Sequence, residues 1–339
     1  MATITKTIGT SSRDYSTITL WEADLDDGGI YSASDDAVGE CYNDSVFDEF
    51  VTINGGGTIG LSSRRLTVAS SDRHDGTAGS GARLVFTGAD RPMFGGSTTQ
   101  DTTVEWMEFD YNGQDVREGV QDVRYVNTCL VHGSNSNRGN YVTGLTKNIQ
   151  TVHWTNNIIY ELNNSNSGGA AGMRVDASSS DIKILNNTIH GIKTTGVGNC
   201  YGIVTKDQSN ESVQNNLCTD CDARGFEEDS PSSATMDYNA TDDTSAAGAN
   251  SLNSITLADQ YVSTVVGSED LHLKIGSDAI NAGVDLGTTP TNVEIDIDGR
   301  NRHTEGDIWD IGAHEFVSGG GPTPTFKPFF AINATRIVR

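Results

Sequence analysis

The octapeptide Ile182-Lys-Ile-Leu-Asn-Asn-Thr-Ile189 decides the fold, because its pattern recurs at regular intervals along the chain. Val152-His-Trp-Thr-Asn-Asn-Ile-Ile159 and Glu211-Ser-Val-Gln-Asn-Asn-Leu-Cys218 repeat the pattern, and residues 123–130 and 235–242 are weaker copies. In this alignment the key asparagines advance by 29, 30, 29 and 24 residues; they are Asn127, Asn156, Asn186, Asn215 and Asn239. A period of this length is typical of a protein in which each repeat stacks on the next.

A glycine followed by an apolar residue is a second marker that precedes each copy. The steps between these pairs are 25, 28, 30 and 23 residues; the pairs are Gly119-Val120, Gly144-Leu145, Gly172-Met173, Gly202-Ile203 and Gly225-Phe226. Apolar residues alternate within each copy, as at Val152 and Trp154, which is the periodicity of a strand. Short strands at this spacing predict a solenoid of parallel strands.

The asparagine pairs have a physical role in such a solenoid. If they stack at a corner, each side-chain amide can donate to the amide in the adjacent coil, so that buried polar groups are paired. The alternative is a β-sandwich with similar turn spacing. A sandwich gives no reason for Asn-Asn to recur in register, so the pattern favours the solenoid.

Together the two markers resemble the repeat of right-handed parallel β-helix proteins, the pectate-lyase-like superfamily, over roughly residues 100 to 245. That superfamily contains pectate-lyase-like enzymes, surface adhesins and phage tailspikes. The resemblance implies an all-β, right-handed parallel β-helix solenoid. Further upstream strands are predicted at residues 50–53, 65–69, 82–86 and 103–107, and we place the β-helix at residues 31–253.

Residues 1–30 are predicted to form a cap with a short helix over the first coil. Thr19 and Glu22 have the spacing of a capping box, and Ile18, Trp21 and Leu25 would share one helical face. Such a cap would protect the edge strands at the open end of a solenoid.

The C-terminal part divides into three predicted segments. Residues 254–316 resemble a module at the end of bacterial and phage β-helices, in which acidic residues could hold a structural cation such as Ca²⁺ or pair with Arg300 and Arg302. Residues 317–325 have the composition of a Gly/Pro linker. Residues 326–339 form an apolar, basic tail, predicted to anchor the protein to a partner; its candidate contact residues are Phe326, Lys327, Phe329, Phe330, Ile332, Arg336 and Ile337.

Bulk composition excludes several classes of function. The net charge of −24 repels phosphate, which argues against a nucleic-acid binder. The sequence has no apolar run long enough for a membrane span and no apolar core of a signal peptide near its N-terminus, so we expect synthesis in a host cytoplasm without a leader. Cys218-Thr-Asp-Cys221 lacks a second ligand pair for zinc, so no metal site is predicted there.

Two groups of outward residues are candidates for catalysis. Asp176, Lys206 and Asp229 would stack beside Arg174, with the two carboxylates about 10 Å apart, close to the range of inverting glycosidases. Tyr160 and His190 would share a second stack, with His132, Glu161 and Asp220 in the next, and could act as acid and base in a polysaccharide lyase. The alternatives are a solvated ladder of ion pairs for the first group and a glycan-binding or structural surface for the second.

Glycan contacts are predicted at Arg174, Lys206 and Glu161. The ending of linker and tail resembles that of phage virion proteins. We therefore expect a structural protein on a virion surface, as a capsid decoration, head fibre or tailspike, that is tethered by its tail and oligomeric, with a trimer favoured. It could bind a surface polysaccharide. The alternative is a polysaccharide-degrading enzyme, a lyase or a glycoside hydrolase; no cofactor is predicted for either.

Overall fold

A computed structural model describes residues 2–88, 92–96, 101–137, 139, 141–147, 151–176, 181–206, 211–229, 235–305 and 308–318. Short strands dominate these residues. The first strands are β1 (Thr3–Ile8), β2 (Asp36–Cys41), β3 (Val51–Thr52), β4 (Ser63–Val68), β5 (Arg83–Val85), β6 (Pro92–Gly95), β7 (Thr102–Glu105), β8 (Glu108–Asp110) and β9 (Glu118–Gln121). The repeat region continues with β10 (Tyr125–Asn127), β11 (Leu130–Ser136), β12 (Val142–Lys147), β13 (Thr151–Thr155), β14 (Ile158–Asn164), β15 (Ala170–Val175), β16 (Asp181–Leu185), β17 (Thr188–Thr194), β18 (Cys200–Thr205), β19 (Glu211–Gln214), β20 (Leu217–Thr219) and β21 (Arg224–Glu228).

The last strands are β22 (Thr235–Asp237), β23 (Ala240–Thr241), β24 (Leu252–Asn253), β25 (Tyr261–Val265) and β26 (Ser268–Leu273). Helical segments in the described residues are short: α1 (Ile18–Ala23), a 3₁₀ turn (Leu257–Asp259) and α2 (Arg302–Glu305). None of the helices in these ranges is long and apolar enough to cross a membrane.

The strands form three long parallel sheets, and from β2 to β23 successive strands along the chain belong to different sheets. Sheet A has the order β1-β2-β4-β7-β10-β13-β16-β19-β22, sheet B the order β24-β23-β20-β17-β14-β11-β8-β5, and sheet C the order β21-β18-β15-β12-β9-β6-β3. Strands β25 and β26 form a separate antiparallel hairpin. This all-β arrangement is compatible with a parallel β-helix.

Each coil repeats the side-chain pattern of the coil before it. Val152 pairs with Ile182 and Trp154 with Ile184, and all four side chains are buried in one continuous apolar core. The glycine marker is also in register, since Leu145 pairs with Met173 and Met173 with Ile203. The predicted alternation of the strands is therefore confirmed.

The predicted stacking of asparagine amides is present at the second asparagine of each pair. Nδ2 of Asn157 donates to Oδ1 of Asn187 (3.0 Å), Asn187 to Asn216 (2.9 Å) and Asn216 to Asn239 (3.0 Å). All four side chains are fully buried. The ladder thus pairs polar groups that would otherwise lose their hydrogen bonds on burial.

The first asparagine of each pair stacks only in part, with Nδ2 of Asn215 donating to Oδ1 of Asn186 (3.1 Å), and it also has a backbone role. The sequence alignment was wrong by one residue at two of the copies. Asn156, Asn186 and Asn215 have a left-handed backbone, with φ of 57°, 55° and 58°. Strand pairing aligns Asn127 with Thr155, and Gln214 with Asp237. The left-handed position is consequently held by Thr128 and Tyr238 in those coils. The repeat is defined by this backbone corner, which residues other than asparagine also occupy.

Glycine precedes the apolar marker because neighbouring coils approach closely there. A Cβ built on Gly144 would lie 2.6 Å from the carbonyl oxygen of Gly172, and one on Gly172 would lie 2.8 Å from that of Gly202. Both distances are shorter than a carbon–oxygen contact allows. A side chain in this column would therefore force the coils apart.

A short helix lies in the N-terminal region, but its cap differs from the predicted one. Thr17 and not Thr19 is the N-cap, and its side chain accepts a hydrogen bond from the Leu20 amide. Glu22 instead accepts from the backbone of Asn54 and Gly55. Ile18, Trp21 and Leu25 are buried as expected; the role of residues 1–30 as a cap stays a prediction.

A loop borders the free edge of β21, the last strand of sheet C. The Asp243 carboxylate accepts from the Gly225 amide and the Ser245 hydroxyl from the Phe226 amide, so these side chains replace a neighbouring strand at the edge of β21. Within residues 254–305 and 308–316, one group of side chains packs on the outer face of sheet B, while residues 289–292 border sheet A; the role of this segment as an end module stays a prediction. The apolar side chains of that group pack on Leu130, Ile158, Tyr160, Leu217 and Ala240. The predicted tail, residues 326–339, lies outside the described residues.

Candidate functional sites

The predicted Tyr160 and His190 pair does lie in one row of sheet B. Tyr160 pairs in register with His190 on one side and with His132 on the other. The rings of His132 and Tyr160 stack in parallel, with centroids 5.0 Å apart and an interplanar angle of 6°. His132 lies in this row and not in the next one as predicted, because the repeat at residues 123–130 is shifted by one residue relative to the predicted alignment.

This row is buried beneath the C-terminal hairpin. Nδ1 of His190 lies 3.1 Å from the Thr219 hydroxyl, which in turn lies 2.9 Å from the Tyr261 hydroxyl of β25. Burial raises the pKa of Tyr160 and lowers that of His190, so the phenol keeps its proton and the imidazole stays neutral. A polymer could not reach either side chain without displacing the hairpin.

Glu161 follows this row and faces a carboxylate of the hairpin. Burial is the largest cause that raises the pKa of Glu161 to about 7, and the Glu269 carboxylate adds to it by accepting a hydrogen bond from the protonated Glu161 and through its charge. Glu269 is itself buried and accepts from the Gly267 amide. Glu161 and Glu269 therefore form a carboxyl pair that joins sheet B to the hairpin, and a glycan contact at Glu161 stays a prediction.

Two clusters of potential metal ligands occur in the described residues, and their atoms have protein partners. Glu108 is fully buried; it accepts from the Gly79 amide (2.9 Å) and lies 2.9 Å from Nε2 of His132. The second cluster is His272, Asp298 and His314. Nδ1 of His314 accepts from the Leu273 amide, so the proton of the neutral ring is on Nε2, the atom that would have to bind the metal.

Ion pairs stabilise the acidic C-terminal segment, for which either a structural cation or pairing with arginine was predicted. The guanidinium of Arg302 is fully buried, with Nη1 2.9 Å from Oε2 of Glu315 and Nη2 donating to the Gly312 carbonyl. Nη1 of Arg300 lies 3.4 Å from Oδ2 of Asp298. These contacts agree with the ion-pair alternative, whereas a structural cation remains a prediction.

The first candidate group, Asp176, Lys206 and Asp229 beside Arg174, forms two separate ion pairs on sheet C. Arg174 Nε donates to both carboxylate oxygens of Asp176, at 2.7 and 2.8 Å. Lys206 pairs with Asp229 at 3.7 Å. Each carboxylate thus has its own cation, and this agrees with the solvated ion-pair alternative.

Arg174 and Asp176 border a depression of about 330 Å³ on sheet C. The guanidinium lies over the Tyr141 ring, 4.3 Å from its centroid. Thr143, only 2% exposed, lines the depression, and its hydroxyl has no hydrogen-bond partner among the described residues. Arg117 and Glu118 form an ion pair at the opposite side, 3.0 Å apart.

A groove of about 460 Å³ on sheet A was missed by the sequence analysis. Its floor comes from outward positions of four strands, and its wall is the segment 289–292; the floor residues are Arg65, Thr103, Glu105, Tyr125, Asn127 and His153. The outward row Arg65, Thr103, Tyr125 and His153 could have been found from strand alternation with the correct register. The wall could not, because it is more than 130 residues away in the sequence.

No protein-family model matches this chain, and no curated protein matches it.

Proposed function

We propose that this chain is a structural protein displayed on a virion surface, as a capsid decoration, head fibre or tailspike. In this proposal it is a right-handed parallel β-helix, capped by residues 1–30 and assembled as a trimer. The observation that supports this proposal best is the burial of the two side chains of sheet B that could act as acid and base. Tyr160 and His190 are buried beneath the hairpin, where they hold the C-terminal segment in place and cannot reach a substrate.

The proposed tether is the tail, residues 326–339. The chain carries a net charge of −24, yet the tail has no acidic residue and contains Lys327, Arg336 and Arg339. An apolar, basic peptide that follows a Gly/Pro linker could add a strand to a partner or fill its groove without disturbing the solenoid.

Truncation after Gly321 tests the tether. We expect the truncated protein to be soluble, to show the same thermal unfolding as the full chain, and to fail to assemble with the particle. Incorporation should be measured by quantifying the protein in purified particles after complementation. Normal incorporation of the truncated protein would show that the tail is not the attachment site.

Glycan recognition on sheet C is a second candidate function. The Arg174 guanidinium over Tyr141 favours it. Its partner Asp176 is 31% exposed, so a ligand carboxylate could replace Asp176 on this guanidinium. Lys206 would extend the surface along the coil axis. Arg174→Ala should weaken binding of an acidic oligosaccharide such as trigalacturonate, while Lys183→Ala on sheet A should not.

A polysaccharide-degrading activity is the alternative that assays should exclude. Reducing-end and unsaturated-sugar release from acidic polysaccharides should be measured for the wild type and for two double variants, Tyr160→Phe/His190→Ala and Asp176→Asn/Asp229→Asn. We expect no turnover by any of the three. Robust turnover that either double variant abolishes would overturn the structural proposal.

A further inference from the structure

We infer that the groove on sheet A is a binding site for a neutral saccharide. The inference concerns a different face of the solenoid from the sheet C depression, and it does not depend on where the protein is displayed. It follows from the rigidity of the groove, the charge of its lining and the types of polar group that face it.

The wall of the groove is fixed to the solenoid by the first asparagines of the repeats. Nδ2 of Asn156 donates to the carbonyl of Asn292 (3.0 Å), and Nδ2 of Asn186 to that of Val293 (2.8 Å). Val293 is fully buried and packs with Leu185 and Trp309. A wall held in this way gives a groove that is formed before any ligand arrives, which lowers the entropic cost of binding.

The lining has no excess of charge. Arg65 Nη1 lies 3.1 Å from Oε1 of Glu105, and this carboxylate is only 4% exposed. His153 Nε2 lies 2.8 Å from the Asp181 carboxylate. Because the Arg65 guanidinium is already neutralised by a buried carboxylate, the groove offers little to a phosphate or a uronic acid and suits an uncharged ligand.

The polar groups of the groove include both donors and acceptors. The Asn127 amide accepts from the Thr155 hydroxyl through Oδ1, and its Nδ2 has no partner among the described residues. The same space is lined by four residues that carry a hydroxyl group, Thr103, Tyr125, Thr289 and Thr291. A sugar hydroxyl both donates and accepts, so vicinal hydroxyls on one ring match such a mixture better than a purely donating or accepting ligand does.

Apolar surface for a sugar ring is also present. The Tyr125 and His153 rings meet edge to face, with centroids 5.3 Å apart, and Pro290 lies in the opposite wall. The C–H face of a pyranose can pack on such rings while its hydroxyls reach the rim. The volume of about 460 Å³ is within the range of small-molecule sites.

Binding should be tested by saturation-transfer NMR with neutral trisaccharides of glucose, galactose, mannose and N-acetylglucosamine, with trigalacturonate as the charged comparison. We expect at least one neutral sugar to bind the full chain, and Tyr125→Ala to weaken that binding by about tenfold or more. Thr103→Trp, which fills the groove from its floor, should abolish the signal. Tyr141→Ala is the matched control, because it removes a tyrosine from the sheet C depression instead.

Thermal unfolding must show that each variant is folded. Three results would overturn the inference: no neutral sugar bound by the wild type at about 10 mM, a loss of trigalacturonate binding in Tyr125→Ala that exceeds its loss of neutral-sugar binding, or loss of neutral-sugar binding in Tyr141→Ala but not in Tyr125→Ala. The last result would place the site on sheet C.

Discussion

Asparagine has two separate roles in each repeat, and both come from the geometry of one corner. The first residue of a pair takes the left-handed backbone, which asparagine tolerates better than most residues, and its amide points outward to the C-terminal segment. The second residue is buried and pairs with its equivalents in neighbouring coils. A single dipeptide thus turns the chain, closes the polar ladder and positions the wall of the groove.

Asn187→Ala tests the ladder. Asn187 donates to the Trp154 carbonyl and to Asn216, and it accepts from Asn157. Its removal leaves buried partners unpaired, so we expect the free energy of unfolding to fall by about 2–4 kcal/mol in a urea titration. Asn163→Ala, at an exposed position of β14, should change it by less than about 0.5 kcal/mol. Similar losses in both variants would refute the role of the ladder.

His272 provides a second test of a single side chain. Burial alone would lower its pKa, but hydrogen bonds to Asp270 and Asp298 outweigh burial and raise the pKa to about 10. The folded protein therefore holds the proton: the stabilisation is complete below pH 6.5 and is lost as the pH rises towards 10.

The melting temperature should accordingly fall between pH 7 and pH 10 in the wild type, and this fall should be smaller in His272→Gln. His303→Gln is the control, since His303 is more exposed and its imidazole hydrogen-bonds only Asp285 among the described residues. Equal pH dependence in the wild type and in His272→Gln would contradict the prediction.

The hairpin of β25 and β26 shows what the sequence could and could not predict. The strands of residues 100–245 follow from a period that two markers share, and alternation alone places Val152 and Trp154 in the core. The register of the first and last copies could not be predicted from the residue types, because Thr128 and Tyr238 occupy the left-handed corner position that asparagine occupies in the other copies. The hairpin's position on sheet B depends on contacts between residues far apart in the sequence, which periodicity does not encode.

The hairpin's attachment should depend on pH through Glu161. Its pKa of about 7 lies above the 4.5 of an ordinary glutamate, so the stabilisation is present below pH 4.5 and is lost as the pH rises through 7. Glu161→Gln mimics the protonated form. It should be more stable than the wild type at pH 8, by about 1–2 kcal/mol after allowance for solvent screening, and similar to it at pH 4.5.

Chemical denaturation at both pH values measures this difference. Glu305→Gln, at an exposed position of α2, is the control and should have little effect at either pH. A variant that is less stable than the wild type at pH 8 would show that the Glu161 carboxylate is favourable when ionised, contrary to the prediction.

In the protein as a whole, the C-terminal segment joins several coils that otherwise contact only their neighbours. The coils form a nearly one-dimensional array, in which each strand pairs with the strands before and after it. Residues 254–316 contact sheet B from β11 to β23 and bond to asparagines of three successive coils. We therefore expect the solenoid and this segment to unfold together.

Truncation after Asn253 should leave the three sheets complete but uncover the apolar outer face of sheet B, where Leu130, Ile158 and Leu217 are now fully buried. An exposed apolar face of this kind binds hydrophobic dyes and promotes association. We expect the truncated chain to bind 1-anilinonaphthalene-8-sulfonate and to elute as oligomers or aggregates in size-exclusion chromatography with light scattering. The chain that ends at Gly321 keeps these contacts and is the matched control. If the shorter chain has the same oligomeric state as the control and binds no dye, sheet B does not need the C-terminal segment as a cover, and the segment is a separate unit.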